Sequence, residues 1–367
     1  MIDIKIGNCL DVLKELPRDY FHTVVTSPPY YGLRDYNTGT WVGGDPNCPH
    51  KRLSKISKDT ATGHKGMHDQ GNVVGDAIYR QECPICGAKR QDDQIGLELT
   101  PQDYVRRLVE VFREVRHTLR EDGTVWLNLG DSYHNYRADG QQVKQTVSTT
   151  RQDFPESSPH RANKIQGLKQ KDLMGIPWRV AFSLQEDGWY LRQDIIWHKP
   201  NPMPESVQDR CTKAHEYIFL LSKNKKYYYD NEAIKEPTVT KDNSNRNRDI
   251  TKLNNTPGRS KMKGLKTNNY DKRNKRSVWS VSPKPYKEAH FATYPPDLIE
   301  PCILAGCPKD GHVLDPFGGA GTTAIVADRN DRNCTLIELN SSYVKMANDR
   351  IGNYVMKEKF PEQGRLL

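Results

Sequence analysis

The sequence predicts an α/β fold in which a mostly parallel sheet is covered by helices on both faces. Three observations predict it. The chain opens as strand, helix, strand within its first 26 residues. The same alternation resumes after each polar interruption and runs through the C-terminal third. Short apolar runs end repeatedly in turns of Gly or Pro, as strands covered on both faces do. With 367 residues the chain has room for two to three folding units and a sizeable core.

IDIKIG reads as the first strand, CLDVLKEL as a helix with apolar spacing near 3.6, and HTVVT as the second strand. From Pro101 to Leu119 the pattern YVRRLVEVFREVRHTL is an amphipathic helix with Thr100 as N-cap and Pro101 in its first turn. Gly123 and the strand TVWLNLG follow. IPWRVAFSLQEDGWY reads as a helix, then YLRQDIIWHK and EYIFLLSK as a pair of strands. The chain closes with helix PPDLIEPCILAG, strand HVLDPF, a Gly-rich turn, helix TTAIVADRN and strand CTLIEL. No internal repeat is present.

These elements divide the chain into five segments. Residues 1–36 begin the α/β domain, and 37–95 are a Cys/His-rich polar insertion. Residues 96–237 continue the domain, with a mobile loop expected at 133–171 where apolar periodicity is lost. A basic region spans 238–289, and 290–367 complete the domain.

No stretch approaches the roughly 18 apolar residues of a membrane span, and the mean hydropathy is −0.83. The N-terminus lacks the basic and apolar regions of a secretory signal. Eight Cys are too sparse for a disulfide scaffold. A cytoplasmic location is therefore expected. The net charge is +9, and its placement is informative. Between Lys241 and His290 there are 14 Lys or Arg against 4 Asp or Glu. A near-neutral body with one cationic segment is the footprint of a polyanion partner, since such cations release counterions condensed on phosphates. On charge alone it equally fits a solvated disordered loop.

Two constellations carry chemistry. Asp315, Pro316, Phe317, Gly318, Gly319, Ala320, Gly321, Thr322 and Thr323 follow an apolar strand and open a helix. Glycines let a ligand approach the backbone, and the helix start presents unpaired N–H groups. Glu338 ends the next strand, where a carboxylate can accept from both hydroxyls of a ribose. The pattern predicts a nucleoside-cofactor site and fits a dinucleotide or S-adenosylmethionine equally. The second constellation, Thr26, Ser27, Pro28, Pro29 and Tyr30, also ends a strand. Its prolines fix φ and remove donors, leaving the Ser27 hydroxyl and the Pro28 carbonyl as rigid acceptors beside an aromatic plane. Such a turn suits a flat ring bearing an exocyclic amine.

TSPPY resembles the catalytic motif of the amino-methylating DNA methyltransferases, which modify N4 of cytosine or N6 of adenine, and DPFGGAGTT resembles their cofactor motif. The order of the two, with a basic region between, is similar to the permuted β group of that family. IGNCLD resembles the segment near the cofactor adenine, with Asn8 in place of the usual Asp and Asp11 nearby. HFATYP resembles the cofactor-side segment that contains Tyr294.

The resemblance implies a Rossmann-like methyltransferase fold with a mixed seven-stranded sheet, S-adenosyl-L-methionine as cofactor, and double-stranded DNA as partner. It further implies a bacterial or phage source and a monomer or homodimer, and it leaves room for a cognate restriction endonuclease as functional counterpart with no direct partner implied. Ser27, rather than Asp, resembles the N4-cytosine members, with N6-adenine methylation on the same scaffold as the alternative, since a hydroxyl and a carboxylate are both acceptors. Transfer would be direct, with Ser27 and Pro28 accepting the amine protons and Tyr30 stacking on a flipped base.

Cys48, His50, Cys83 and Cys86 supply four soft or borderline ligands, and a Cys-x-x-Cys turn sets two thiolates on one tetrahedral edge. This predicts structural zinc stapling the insertion, with His64 or His68 as alternatives to His50. In the basic region Arg246, Arg248, Arg259, Lys261, Lys272, Arg273, Lys275 and Arg276 are expected to meet phosphates. Trp279 is expected to pack that region onto the body. Cys9, Cys211, Cys302, Cys307 and Cys334 read as small core residues. Asp131, after a strand, reads as a turn cap or an additional functional carboxylate.

Overall fold

A computed structural model describes residues 1–33, 36, 38–52, 77–78, 82–134, 165, 167–238, 272–284 and 293–359. Eight strands form one sheet: β1 (Ile2–Ile6), β2 (Phe21–Thr26), β7 (Leu119–Leu129), β8 (Tyr190–His198), β9 (His215–Ser222), β12 (Val278–Ser280), β13 (His312–Asp315) and β14 (Asn333–Glu338). Three short pairs stand outside it: β3 (Thr40–Val42) with β6 (Lys89–Gln91), β4 (Lys51–Arg52) with β5 (Ala77–Ile78), and β10 (Glu236–Pro237) with β11 (Lys272–Arg273). The helices are α1 (Cys9–Glu15), α2 (Pro101–Thr118), α3 (Ile176–Glu186), α4 (Pro296–Gly306), α5 (Thr322–Arg329) and α6 (Ser341–Lys359).

The sheet order is β1-β14-β13-β2-β7-β9-β8-β12. All neighbours are parallel except the pairs made by β9. The sheet is thus mixed and mostly parallel, but among the described residues it has eight strands rather than the expected seven. The addition is β12, which carries Trp279 alongside Trp197 of β8 and buries its ring in the core. Because side chains alternate across a strand, Val24 enters one apolar cluster with α1, α2 and α3, and Val25 enters the other with α4 and α5. Leu127 and Trp126 divide in the same way.

Thr100 caps α2 by accepting from the Asp103 N–H at 3.1 Å, with Pro101 at the helix start. Asp131 is a cap: its carboxylate accepts from the Gly175 and Ile176 N–H groups at 3.0 and 3.1 Å at the start of α3. Cys9, Cys302, Cys307 and Cys334 are buried. Cys211 is exposed, since its neighbours Asp209, Arg210, Thr212 and Lys213 are polar and draw the segment to the surface. The C-terminal helix α6 is an element beyond those expected from the sequence, although Val344, Ala347 and Ile351 are buried at helical spacing. Most of the stretch expected as a mobile loop, 133–171, lies outside the described residues.

Candidate active site

Strands β13 and β2 are neighbours, with Leu314 opposite Val24. Two turns 289 residues apart in sequence therefore leave the same end of the sheet side by side. This is where the chain order along the sheet reverses, the place in open α/β sheets where a crevice forms beyond the carboxyl ends of the strands. A cavity of about 340 Å³ lies there, within the range of small-molecule sites. Ser27, Pro28, Pro29 and Tyr30 line it, and so do Asn8, Tyr294, Pro316, Phe317, Gly318, Gly319, Thr322 and Glu338.

The two turns are tied together beneath the cavity by Asp315. Its carboxylate accepts from Thr26 Oγ1 at 2.6 Å, Thr323 Oγ1 at 2.5 Å, Tyr294 OH at 2.9 Å and the Phe317 N–H at 3.0 Å. Burial nevertheless holds its pKa above the ordinary Asp value, because desolvation outweighs four favourable hydrogen bonds. Asp315 therefore organises the site from below rather than lining it. Gly321 is the N-cap residue of α5 and also lies off the cavity wall. Asp11 sits exposed in the first turn of α1, whose N-cap is Asn8, accepting from the Leu10 N–H at 3.0 Å. Neither Asp11 nor Gly321 is brought to the cavity surface.

Glu338 is fixed from both sides. Its Oε2 accepts from the Gly319 N–H and its Oε1 from the Asn340 N–H, each at 2.8 Å. Desolvation raises its pKa above the usual Glu value. A carboxylate so held keeps lone pairs for further donors facing the cavity.

The opposite end of the cavity holds residues that the sequence analysis did not single out: Asn128, Trp197, Lys199 and Glu216. Tyr30 OH donates to Glu216 Oε2 at 2.7 Å, and Lys199 Nζ pairs with Glu216 Oε1. Asn128 Nδ2 donates to the Tyr217 carbonyl at 3.0 Å, and Lys199 Nζ lies 4.3 Å from the Trp197 ring centre. Ser27 Oγ is 3.4 Å from Tyr30 OH. Tyr30 can lie this close because Gly130 has no side chain: a Cβ there would approach the ring to 2.5 Å. The Tyr30 phenol is pushed well above its usual pKa by burial and by the Glu216 charge, so it stays neutral. These residues left no local signal because each is an isolated position on β7, β8 or β9, or just beyond one, that becomes meaningful only when the strands align.

Cys48, His50, Cys83 and Cys86 converge, with ligand atoms all within 4.8 Å of one another, and could hold a metal ion. His64 and His68 lie outside the described residues, as do Arg246, Arg248, Arg259 and Lys261. Of the other expected DNA contacts, Arg273 and Arg276 pair with Glu236 at 2.8 and 2.6 Å, Lys275 lies over Trp279, and Lys272 is exposed. Arg273 and Arg276 thus already share one carboxylate partner at the surface.

An open, mostly parallel α/β sheet with a glycine turn and an acidic strand end facing one crevice defines a nucleoside-cofactor enzyme of the Rossmann-like type. The chain belongs to the DNA methylase family: the N6/N4 methylase model matches residues 21–349. It is 39% identical over 352 residues to the type II methyltransferase M.SmaI of Serratia marcescens, covering 95% of this chain and 90% of the relative. It is 39% identical over 349 residues to M.Cfr9I of Citrobacter freundii, covering 94% and 86%.

Among solved structures the fold is similar to that of the PvuII cytosine-N4-specific DNA methyltransferase, with TM-score 0.53, 16% identity, and 97% of this chain and 92% of that one covered. It is also similar to a Thermus thermophilus protein complexed with S-adenosyl-L-methionine, with TM-score 0.50, 18% identity, and 97% and 96% covered. Among the described residues no helix is long and apolar enough to cross a membrane.

Proposed function

We propose that this protein transfers a methyl group from S-adenosyl-L-methionine to the exocyclic N4 amine of a cytosine flipped out of duplex DNA, as a member of the permuted β group. The observation that carries this reading is the shared cavity: Ser27 to Tyr30 line one part of it, and Gly318, Gly319 and Glu338 line another. Relatives at 39% identity are type II methyltransferases. The reading therefore includes a cognate endonuclease as functional counterpart, with no contact between the two required.

At the cofactor end Glu338 accepts from the ribose hydroxyls, the backbone at Gly318 and Gly319 allows close approach, and Asn8, Phe317 and Tyr294 close the walls. When bound, S-adenosylmethionine supplies an electrophilic methyl on a sulfonium centre. At the other end the amine lone pair is delocalised into the base and is a poor nucleophile. Ser27 Oγ and the Pro28 carbonyl would accept hydrogen bonds from its two N–H groups, moving the nitrogen toward tetrahedral geometry and stabilising the positive charge that grows as the N–C bond forms and the S–C bond breaks. One N–H proton would then pass to solvent. Tyr30 stacks on the ring, held by Glu216. Holding both reactants in contact accounts for several kcal/mol of barrier reduction, up to roughly 7 to 11 for ideal orientation. Unstacking the base costs a few kcal/mol, offset by phosphate contacts from the basic region that contains Lys272 and Arg273.

Ser27 is a neutral acceptor, as in the N4-cytosine members that TSPPY resembles, and this supports cytosine as the target. The test is nucleoside mass spectrometry of digested DNA from cells expressing the chain. N4-methylcytosine is the expected product, and N6-methyladenine in its place overturns the choice of base. An unmodified digest from cells making soluble protein overturns the reading as a whole.

A further inference from the structure

We infer that Cys48, His50, Cys83 and Cys86 bind one structural zinc ion, and that this ion sets the wall at the cofactor end of the active-site cavity. The donor set comes first. Three thiolates and one imidazole, with no carboxylate among them, select a soft or borderline metal and a tetrahedral site. With zinc–sulfur bonds of about 2.3 Å a tetrahedron has edges of about 3.8 Å. Cys48 Sγ and Cys83 Sγ are 3.7 Å apart, and Cys86 Sγ is 3.5 Å from His50 Nδ1. All four ligands belong to the protein, which leaves no open position and makes the ion structural.

The surroundings are built for these atoms. The Cys83 N–H donates to the Ala88 carbonyl at 2.8 Å and the Gly87 N–H to the Cys83 carbonyl at 2.7 Å, which curls the chain around the Cys83 and Cys86 thiols. On the other side Gly44 brings its backbone so near that a Cβ would lie 2.8 Å from Cys86 Sγ. His50 adopts φ +49°, uncommon for a residue with a side chain, and its ring stacks on Trp41 at 4.5 Å. The described apolar core here consists of Cys48, Cys83 and Ala88, with Trp41 and Cys86 packed against it. Among the described residues that is little apolar burial for a two-stranded ribbon, the situation in which small units fold around a staple.

The ribbon leads from the knuckle to the cavity. Trp41 lies on β3, which pairs with β6. Just beyond β6, Asp92 accepts from Arg90 and from Thr38 Oγ1, both at 2.7 Å. Gln94 Oε1 accepts from the Tyr36 N–H at 2.7 Å, and Asn340 Nδ2 donates to the Tyr36 carbonyl at 3.0 Å. Asn340 is the residue whose N–H holds Glu338. Tyr36, Thr38 and Gln94 line the cavity. A continuous set of contacts thus joins the four ligands to the carboxylate assigned to the ribose. The coupling part of the inference rests on the proposed cofactor, whereas the metal part does not.

The experiment is elemental analysis of the full chain purified without chelator or metal-affinity resin, together with titration of S-adenosylmethionine. One zinc per chain is expected. Cobalt in its place should show thiolate charge-transfer absorption and intense tetrahedral d–d bands. Cys83→Ser with Cys86→Ser should drop zinc below a tenth per chain and weaken S-adenosylmethionine binding at least tenfold. His50→Cys should retain both. If the double variant fails to fold, zinc is instead released from the wild-type chain with a mercurial thiol reagent and chelator, and the cofactor is titrated before and after.

Less than a tenth of a zinc per wild-type chain overturns the site, as does zinc retained in the double variant. Zinc loss with unchanged cofactor affinity overturns the coupling. Stoichiometric zinc in a wild-type chain that binds no S-adenosylmethionine leaves the site standing and removes the proposed function.

Discussion

Thr26 Oγ1 donates to Asp315 Oδ1 at 2.6 Å, joining the last residue of β2 to the last residue of β13. The bond lies where both cavity-lining turns begin, and Asp315 is 1% exposed. Replacing Asp315 with Asn places an amide donor among hydroxyl and N–H donors. Asp315→Asn is expected to destabilise folding by about 2 to 3 kcal/mol, and Thr26→Val by about 1 to 2 kcal/mol. Urea denaturation of the three proteins checks this, and equal midpoints would mean that Asp315 is no hub.

Ser27 acts in the proposed reaction as an acceptor whose value rises toward the transition state. Ser27→Ala is therefore expected to lower kcat on the order of 100-fold while leaving S-adenosylmethionine affinity within about twofold. Single-turnover methyl transfer and calorimetric titration measure the two quantities. Unchanged kcat would remove the assigned role.

Glu338 gives a pH dependence with a definite sign. Burial raises its pKa, so it takes up a proton at a higher pH than an ordinary Glu. Protonation turns one acceptor oxygen into a donor, and cofactor affinity should fall as pH drops, with the fall beginning above the usual Glu range. Glu338→Gln should bind more weakly and lose this acid limb. In the free protein the sign for folding is opposite. The folded state holds the proton more tightly than the unfolded chain, so the contribution of Glu338 to stability declines as pH rises through that window. Titrations of cofactor across the acid range separate the wild type from the variant.

Glu216 orients Tyr30 and is paired with Lys199 in the cavity. Glu216→Gln removes the charge but keeps the shape, leaving the Lys199 ammonium, 21% exposed, without its counterion. Turnover on duplex DNA should fall roughly tenfold, equivalent to about 1.4 kcal/mol, with cofactor affinity unchanged. Comparing kcat/KM for DNA with the Kd for S-adenosylmethionine tests this. A parallel loss in both would show that the pair supports the whole cavity rather than its Tyr30 end.

The alternating elements were legible in the residues alone, because apolar periodicity and capping are local: Thr100 and Pro101 announce α2, and the run HVLDPF announces β13. So were the two turns and the Cys/His set, whose residue types are unusual at close spacing. Which of these share a site was settled only by folding. Thr26 and Asp315 are 289 residues apart in the chain, and their contact depends on β2 and β13 pairing. Asn128, Trp197, Lys199 and Glu216 are ordinary residues in strand patterns, and they face one cavity only through the register of β7, β8 and β9. The eighth strand was hidden for the same reason: three residues around Trp279 become a strand only when the edge of β8 offers its unpaired backbone groups.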